Sequence, residues 1–169
     1  MLITNSTYDD LEAIFELYDA AIEFQNTVFN KQWQGFERSL VETEIREGRQ
    51  WKIIIDEKIA CIFAITFNDP LIWKEKDHDP AIYIHRIVTN PEFRGGAFVK
   101  HIAKWARGYA RGINKKYIRM DTWGDNLKLR EYYVSCGFEY LGLTVMEDTE
   151  GLPSHYEGIS LSLFEIKAD

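Results

Sequence analysis

A run of small residues, Arg94-Gly95-Gly96-Ala97, stands between an apolar segment that ends at Thr89 and a helical pattern that begins at Phe98. Glycine lets a backbone approach a ligand without obstruction by a Cβ atom. The N–H groups in the first turn of a helix have no internal partner, and they carry the positive end of the helix dipole. Such a turn is suited to binding a diphosphate, and Arg94 would add charge-assisted hydrogen bonds. Taken alone, the pattern fits a plain strand-to-helix connection at least as well.

Two familiar phosphate-binding patterns are absent from the sequence. There is no G-x-x-x-x-G-K-[S/T] run of a P-loop and no G-x-G-x-x-G dinucleotide fingerprint. The two cysteines, Cys61 and Cys136, form no C-x-x-C pair and cannot make a zinc site by themselves. We therefore expect no metal.

Titratable groups on two neighbouring strands are candidates for proton transfer. His85 lies two residues after Tyr83, so both side chains point to the same face of a strand. A histidine has a suitable pKa for taking a proton from an ammonium group, although a lone strand histidine is more often structural. Asp121 ends the following strand and could either accept this proton or bind the amine.

The elements that position these residues follow from hydrophobic periodicity and capping signals. Thr7 and Asp10 form a helix-start signal, and apolar residues recur behind it at helical spacing. The patterns further predict strands at residues 2–3, 51–56, 59–67, 82–89, 117–122, 138–145 and 158–166, and helices at 36–46, 98–113 and 126–136. Residues 25–35 and the polar segment 68–80 are predicted to be irregular.

This element order predicts a mixed α/β fold with helices on both faces of one sheet. Strand 82–89, helix 98–113 and strand 117–122 should form a right-handed parallel crossover. The length of 169 residues suits one domain, 1–169.

Composition excludes several classes of function. The formal net charge is −7, and no long Lys/Arg run supports binding to nucleic acid. An acidic surface favours binding of a cationic substrate, although a requirement for solubility alone explains the acidic net charge better. We see no signal peptide and no apolar run of membrane-spanning length, so we expect a cytoplasmic protein without a membrane partner.

Two segments together resemble the acyl-CoA-binding core of the GNAT superfamily of N-acyltransferases. The first is the strand around Val88 followed by Pro91, Phe93, Arg94 and Gly95. It departs from the family pattern in two places: Ala97 stands where a second glycine is usual, and Val99 where glycine or alanine is usual. The second segment runs from Asn126 through Tyr132-Tyr133 to Gly137-Phe138, similar to the family's N-x-x-x-x-x-[F/Y]-Y-x-x-x-G-F.

The resemblance implies a GNAT fold: a mostly antiparallel mixed sheet of six to seven strands, with one parallel pair that splays apart. It implies acetyl-CoA as co-substrate, direct attack by a primary amine, and Tyr133 as the acid that protonates the coenzyme A sulfur. By the same resemblance the residues that contact the cofactor are Ile87, Val88, Arg94, Gly95, Gly96, Ala97, Phe98, Val99, Asn126 and Tyr133.

The resemblance leaves the general base and the acceptor undetermined. Where the family often has a strand glutamate this chain has Tyr83, so His85 becomes the candidate base. Trp33, Tyr83, Asp121 and Trp123 are candidates for the acceptor site, and Phe29 is grouped with them, although core packing explains the aromatic residues nearly as well. We expect the acceptor to be a small-molecule or peptide amine. The sequence does not decide whether the chain forms a homodimer. A non-catalytic acyl-CoA-binding domain of the same fold is the alternative.

Overall fold

The computed structural model of the chain describes residues 1–28, 33–146 and 159–169. The helices are α1 Leu11–Val28, α2 Arg38–Arg46, α3 Pro70–Trp73, α4 Phe98–Gly112 and α5 Leu127–Ser135. The strands are β1 Leu2–Asn5, β2 Gln50–Ile55, β3 Lys58–Thr66, β4 Ala81–Thr89, β5 Tyr117–Trp123, β6 Glu139–Val145 and β7 Ser160–Lys167. In this part of the chain, no helix combines the length and the apolarity needed to cross a membrane.

The seven strands form one mixed sheet in the order β1-β2-β3-β4-β5-β7-β6. β1 with β2, β2 with β3, β5 with β7 and β6 with β7 are antiparallel, and β4 with β5 is parallel. The predicted mixed, mostly antiparallel sheet with one parallel pair is confirmed.

Within this sheet the chain forms two compact units. The first contains Met1–Ile65 and Arg86–Gly96, and the second contains Thr66–His85 and residues 97–146 and 159–169. Strand β4 passes from the second unit to the first between His85 and Arg86. The expectation of a single domain, 1–169, stays a prediction.

The first unit has a core in which α1 and α2 pack on the sheet. Asp10 accepts a hydrogen bond from the Thr7 amide at 2.7 Å, which caps the start of the helical segment as predicted. Behind this cap, apolar residues at helical spacing in α1 bury one face, including Ile14 and Tyr18. Trp33 packs edge-on against Tyr18, with the ring centroids 6.4 Å apart.

A buried ion pair supports the part of β4 that lies in the first unit. Arg86 donates to both carboxylate oxygens of Glu44 and, at 3.2 Å, to the Tyr18 hydroxyl. Its backbone has a φ of +51°, a left-handed conformation that is costly for a residue with a Cβ atom. Strand β4 continues through Arg86 to Thr89 despite this conformation, and the pairing of the guanidinium with Glu44 offsets the cost of burying its charge.

The second unit is organised around Arg119, whose side chain is 1% exposed. It pairs with Asp79 at 2.6 Å and with Glu165 at 2.8 Å. It also donates to the Lys76 carbonyl at 2.7 Å, and its guanidinium lies 4.8 Å from the Trp73 ring centroid. One guanidinium thus ties the segment before β4 to two strands.

The prediction that segment 68–80 is irregular is wrong in one respect, because the segment contains α3 and a short 3-10 helix, Lys74–His78. Asp69-Pro70 opens α3, with proline in the first turn, where its missing N–H costs nothing. Helix α1 continues to Val28, α2 begins at Arg38 rather than at residue 36, and β7 spans Ser160–Lys167. Phe29 lies outside the described residues.

Candidate active site

The parallel strands β4 and β5 separate inside the second unit. Their pairing runs over three rows, from Ala81↔Tyr117 to Tyr83↔Arg119, although both strands continue beyond. Because side chains alternate along a strand, His85 shares the face of Tyr83, and Asp121 shares the face of Arg119. The two predicted titratable residues therefore lie side by side where the strands part.

Asp69 joins them from the start of α3. Its Oδ2 atom lies 3.2 Å from Nε2 of His85. One ligand atom from each of Asp69, His85 and Asp121 lies within 4.8 Å of the others. We call these three side chains the proton-transfer cluster. The residue-by-residue sequence interpretation missed Asp69, and the signal that could have found it is the Asp-Pro helix start.

Burial differs within the proton-transfer cluster. Asp69 is 7% exposed, whereas the His85 side chain is 22% exposed and Asp121 is half-buried. Asp69 is thus largely shielded from solvent, whereas the His85 side chain is partly exposed. A carboxylate 3.2 Å from the ring favours a positive charge on the imidazole.

A set of hydrogen bonds fixes Asp69. Its amide donates to Oδ1 of Asp77 at 2.6 Å. Asp77 is also hydrogen-bonded to the side chain of Tyr83, whose hydroxyl accepts from Nη1 of Arg119 at 3.2 Å. Tyr83 is 0% exposed, and burial raises the pKa of its hydroxyl well above the usual value, with Asp77 adding to the rise. The predicted contact of Tyr83 with the acceptor stays a prediction, and its observed position is interior.

Asp121 has an unusual electrostatic environment. Desolvation raises the pKa of its carboxyl from 3.8 to about 6; His85 lowers it and the negative charge of Asp69 raises it. The carboxyl therefore changes charge close to neutral pH. Perturbed pKa values of this kind cluster at functional sites.

Tyr133 lies on α5, where its ring packs against Phe164 at 5.1 Å and Phe138 at 6.3 Å between centroids. Burial raises the pKa of Tyr133 above its usual value, and the neighbouring Tyr132, Cys136 and Asp121 add to the rise. The phenol is therefore protonated throughout the neutral range.

The small-residue turn has the backbone that its sequence requires. Gly95 has a φ of +85°, and Ala97, the residue before α4, has φ +51° and ψ +43°. The Gly96 amide donates to the Phe93 carbonyl at 3.2 Å and so belongs to the turn itself. A left-handed alanine explains why glycine is usual at position 97 in the family pattern.

Side-chain placement around this turn leaves its backbone open. Arg94, Gly95, Gly96 and Ala97 are exposed, whereas Phe98 is 4% and Val99 is 8% exposed. Val99 thus turns its bulk towards the core. The guanidinium of Arg94 lies 4.9 Å from the Phe24 ring centroid in the first unit.

The other predicted residues take separate positions. Asn126 caps α5, because its Oδ1 accepts from the Leu129 amide at 3.1 Å. Trp123 packs at the edge of a buried cluster in the second unit. Ile87 and Val88 directly follow the left-handed Arg86, and Val88 is buried in the core of the first unit.

The residues predicted to contact the cofactor thus divide between the two units. Ile87, Val88, Arg94, Gly95 and Gly96 belong to the first, and Ala97, Phe98, Val99, Asn126 and Tyr133 to the second. The proton-transfer cluster lies in the second unit alone. Its two carboxylates and imidazole could also hold a divalent metal ion, so the expected absence of a metal stays a prediction.

Comparisons with known proteins agree with this fold. The N-acetyltransferase YesJ of Bacillus subtilis strain 168, described as uncharacterized, is 24% identical over 145 residues, which cover 81% of each chain. A GNAT-family acetyltransferase structure from Listeria monocytogenes has a TM-score of 0.78 at 21% identity, covering 98% of this chain and 94% of that one. The protein yncA of Salmonella typhimurium, solved with its cofactor acetyl-CoA, has a TM-score of 0.70 at 12% identity, covering 100% of this chain and 94% of that one.

A family model settles the classification. The model described as the acetyltransferase (GNAT) family matches residues 11–138, which include both sequence segments, the split strand pair and the whole proton-transfer cluster. The chain belongs to the acetyltransferase (GNAT) family.

Proposed function

We propose that this acyltransferase moves the acetyl group of acetyl-CoA to a primary amine by direct attack, with both substrates bound together. The observation that carries the proposal is the proton-transfer cluster at the point where β4 and β5 part. It supplies an imidazole beside a buried carboxylate in a chain that has Tyr83 where the family often has a strand glutamate. The acceptor is a small-molecule or peptide amine.

The chain's own residues suit the diphosphate of coenzyme A. The exposed turn of Arg94 to Ala97 carries no bulky side chain over its backbone, and it leads into a helix of 15 residues. Unpaired N–H groups and the helix dipole favour an anion there, and Arg94 adds a positive charge. We assign Ile87 and Val88 to backbone pairing with the pantetheine arm, and the amide of Asn126, whose oxygen caps α5, to a hydrogen bond with it.

We assign the role of general base to His85. Its Nε2 atom lies 3.2 Å from Oδ2 of Asp69, so we assign Nδ1, the other ring nitrogen, to take the proton of the acceptor's ammonium group. Asp69 then stabilises the imidazolium, in the manner of the carboxylate in a catalytic triad. Asp121, ionised above a pH of about 6, attracts the ammonium.

Tyr133 completes the proton balance. The neutral amine attacks the thioester carbon, the N–C bond forms, and the C–S bond breaks. The phenol of Tyr133 gives its proton to the departing sulfur. The ammonium loses two protons overall: one replaces the proton that Tyr133 gave to sulfur, and the other leaves through His85 to solvent.

Release of the free thiol from acetyl-CoA, measured with a panel of primary amines, tests the proposal. Tyr133→Phe should lower kcat by about tenfold to a thousandfold. The dissociation constant for coenzyme A, measured by calorimetry, should stay within about threefold because the ring is retained. Tyr132→Phe, one residue earlier on α5, is the matched control and should retain turnover. Unchanged turnover of Tyr133→Phe would remove this residue from the mechanism.

A second candidate, a non-catalytic acyl-CoA-binding domain, is favoured by one observation. Ala97 holds a left-handed conformation that glycine would adopt without strain, and Val99 replaces a small residue. Both depart from the pattern of a tight diphosphate turn. Binding of acetyl-CoA without thiol release across the whole amine panel would support this candidate over the enzyme.

A further inference from the structure

We propose that a basic cavity at the carboxyl-terminal end of α4 binds a small polyanion that carries at least two phosphate groups. The cavity has a volume of about 520 Å³ and lies in the second unit. It is formed where α4 ends, β5 begins and β7 ends. Its lining residues are Arg111, Asn114, Lys115, Lys116, Tyr117, Lys167, Ala168 and Asp169.

The charge of this cavity is opposite to that of the chain. Arg111, Lys115, Lys116 and Lys167 line it against one carboxylate side chain, Asp169, although the whole protein has a formal net charge of −7. Across residues 1–28, 33–146 and 159–169, none of these four cations takes part in an ion pair. Four positive charges gathered around a single carboxylate side chain repel one another, and an anionic ligand relieves that repulsion.

The helix dipole explains only part of this cluster. A cation in the last turn of a helix is stabilised by the negative end of the dipole, which accounts for Arg111. Lys116 directly precedes β5 and Lys167 is the last residue of β7, and strands have little net dipole. Cations from three elements therefore converge on one space for a reason other than helix capping.

The backbone holds these cations on a fixed frame. Asn114, with a φ of +60°, turns the chain after α4, and the Lys115 amide donates back to the Ala110 carbonyl at 2.8 Å. The Lys116 amide donates to Pro80 at 2.7 Å, and its carbonyl accepts from Ala168 at 2.9 Å. The main chain around the cavity is thus satisfied, and only the long side chains need to adjust to a ligand.

The shape and chemistry of the cavity indicate the ligand class. A volume of about 520 Å³ falls in the range of small-molecule sites. Tyr117 and Ala168 add an apolar wall, whereas the four cations match two or more phosphate groups. Because α4 has 15 residues, its two ends are about 22 Å apart, so one diphosphate group cannot occupy both this cavity and the turn before α4.

Calorimetric titration of the full chain with inorganic pyrophosphate, without acetyl-CoA, tests the proposal. The Lys116→Gln/Lys167→Gln double variant should weaken binding at least tenfold relative to the unmodified protein. The exposed pair Lys100→Gln/Lys104→Gln on α4 is the matched control and should change it less than about twofold. Binding should also weaken as sodium chloride rises from about 50 to about 200 mM, because salt screens exposed charges.

A further variant separates this site from the proposed coenzyme A turn. Arg94→Gln should leave the cavity's affinity for pyrophosphate unchanged, whether or not the protein transfers acetyl groups. Absence of binding to the unmodified chain, or equal affinity in the Lys116→Gln/Lys167→Gln variant, would overturn the proposal. If that variant fails to fold by circular dichroism, Arg111→Gln/Lys115→Gln takes its place with the same expected loss.

Discussion

Replacing Asp121 with asparagine should stabilise the fold while it removes charge from the proposed site. In the folded chain the carboxyl has a pKa of about 6, compared with an ordinary value of 3.8. A carboxyl with a raised pKa favours the folded state less as it ionises. Its full contribution to stability is therefore present below a pH of about 3.8 and is lost as the pH rises through about 6.

The size of the effect follows from the two pKa values. The shift from 3.8 to about 6 corresponds to about 3 kcal/mol of free energy of unfolding at pH 8, at 1.36 kcal/mol per pKa unit. At pH 5 the same linkage gives about 1.6 kcal/mol. An asparagine side chain cannot ionise, so the advantage of Asp121→Asn should grow by about 1.4 kcal/mol between pH 5 and pH 8.

Urea unfolding at both pH values measures this difference from the midpoint and the slope m. Asp19→Asn, on the exposed face of α1, is the matched control and should change the free energy of unfolding by less than about 0.5 kcal/mol at either pH. The same Asp121→Asn protein should transfer acetyl groups more slowly at pH 8. A stability difference that stays flat between pH 5 and pH 8, or that reverses in sign, would refute the electrostatic reasoning.

Two further substitutions test the turn before α4 and the buried guanidinium. Ala97→Gly should raise the free energy of unfolding by about 0.5–1 kcal/mol in urea, because relief of a left-handed alanine exceeds the added entropy of the unfolded chain; a loss of stability would contradict the observed backbone. Arg119→Met should lower it by about 3 kcal/mol or more, since Glu165 would keep a buried, unpaired charge. The exposed Arg46→Met is its control, and an Arg119→Met loss below about 1 kcal/mol would show that the ion pairs contribute little.

Local signals in the sequence predicted most of the elements correctly. The helical spacing behind Thr7, the two Ile-rich runs on either side of Glu57-Lys58 and the strand-helix-strand unit around α4 each depend on neighbours in the chain. Tyr133 was identified as the candidate acid in the same way, because its spacing to Gly137-Phe138 is a local sequence pattern. Its proposed role as an acid stays a prediction.

Features that depend on distant contacts could not be predicted. Asp69 lies 16 residues before His85 in the sequence, and only the folding of α3 against β4 brings its carboxylate to the imidazole. The insertion of β7 between β5 and β6 follows from tertiary packing, as does the burial of Tyr83 under Arg119. Likewise, the raised pKa of Asp121 depends on desolvation, which periodicity does not report.

From the sequence, His85 and Asp121 were placed on neighbouring strands as alternative candidates for accepting the proton. The structure brings them together and adds Asp69, so the two residues need no longer compete for one role. We assign proton acceptance to the imidazole, and attraction of the ammonium to Asp121. This assignment rests on the buried Asp69 carboxylate, which lies 3.2 Å from the imidazole, and on the raised pKa of Asp121, which makes its carboxyl change charge near neutral pH.

The pH dependence of kcat/KM for the amine, measured at saturating acetyl-CoA, tests the central claim most directly. With the intact chain we expect the rate to rise with pH through about 6, as Asp121 ionises. His85→Gln should lower the rate by about a hundredfold or more across the profile, with the affinity for coenzyme A retained. A His85→Gln protein that keeps both the rate, within about threefold, and the shape of the profile would contradict the account.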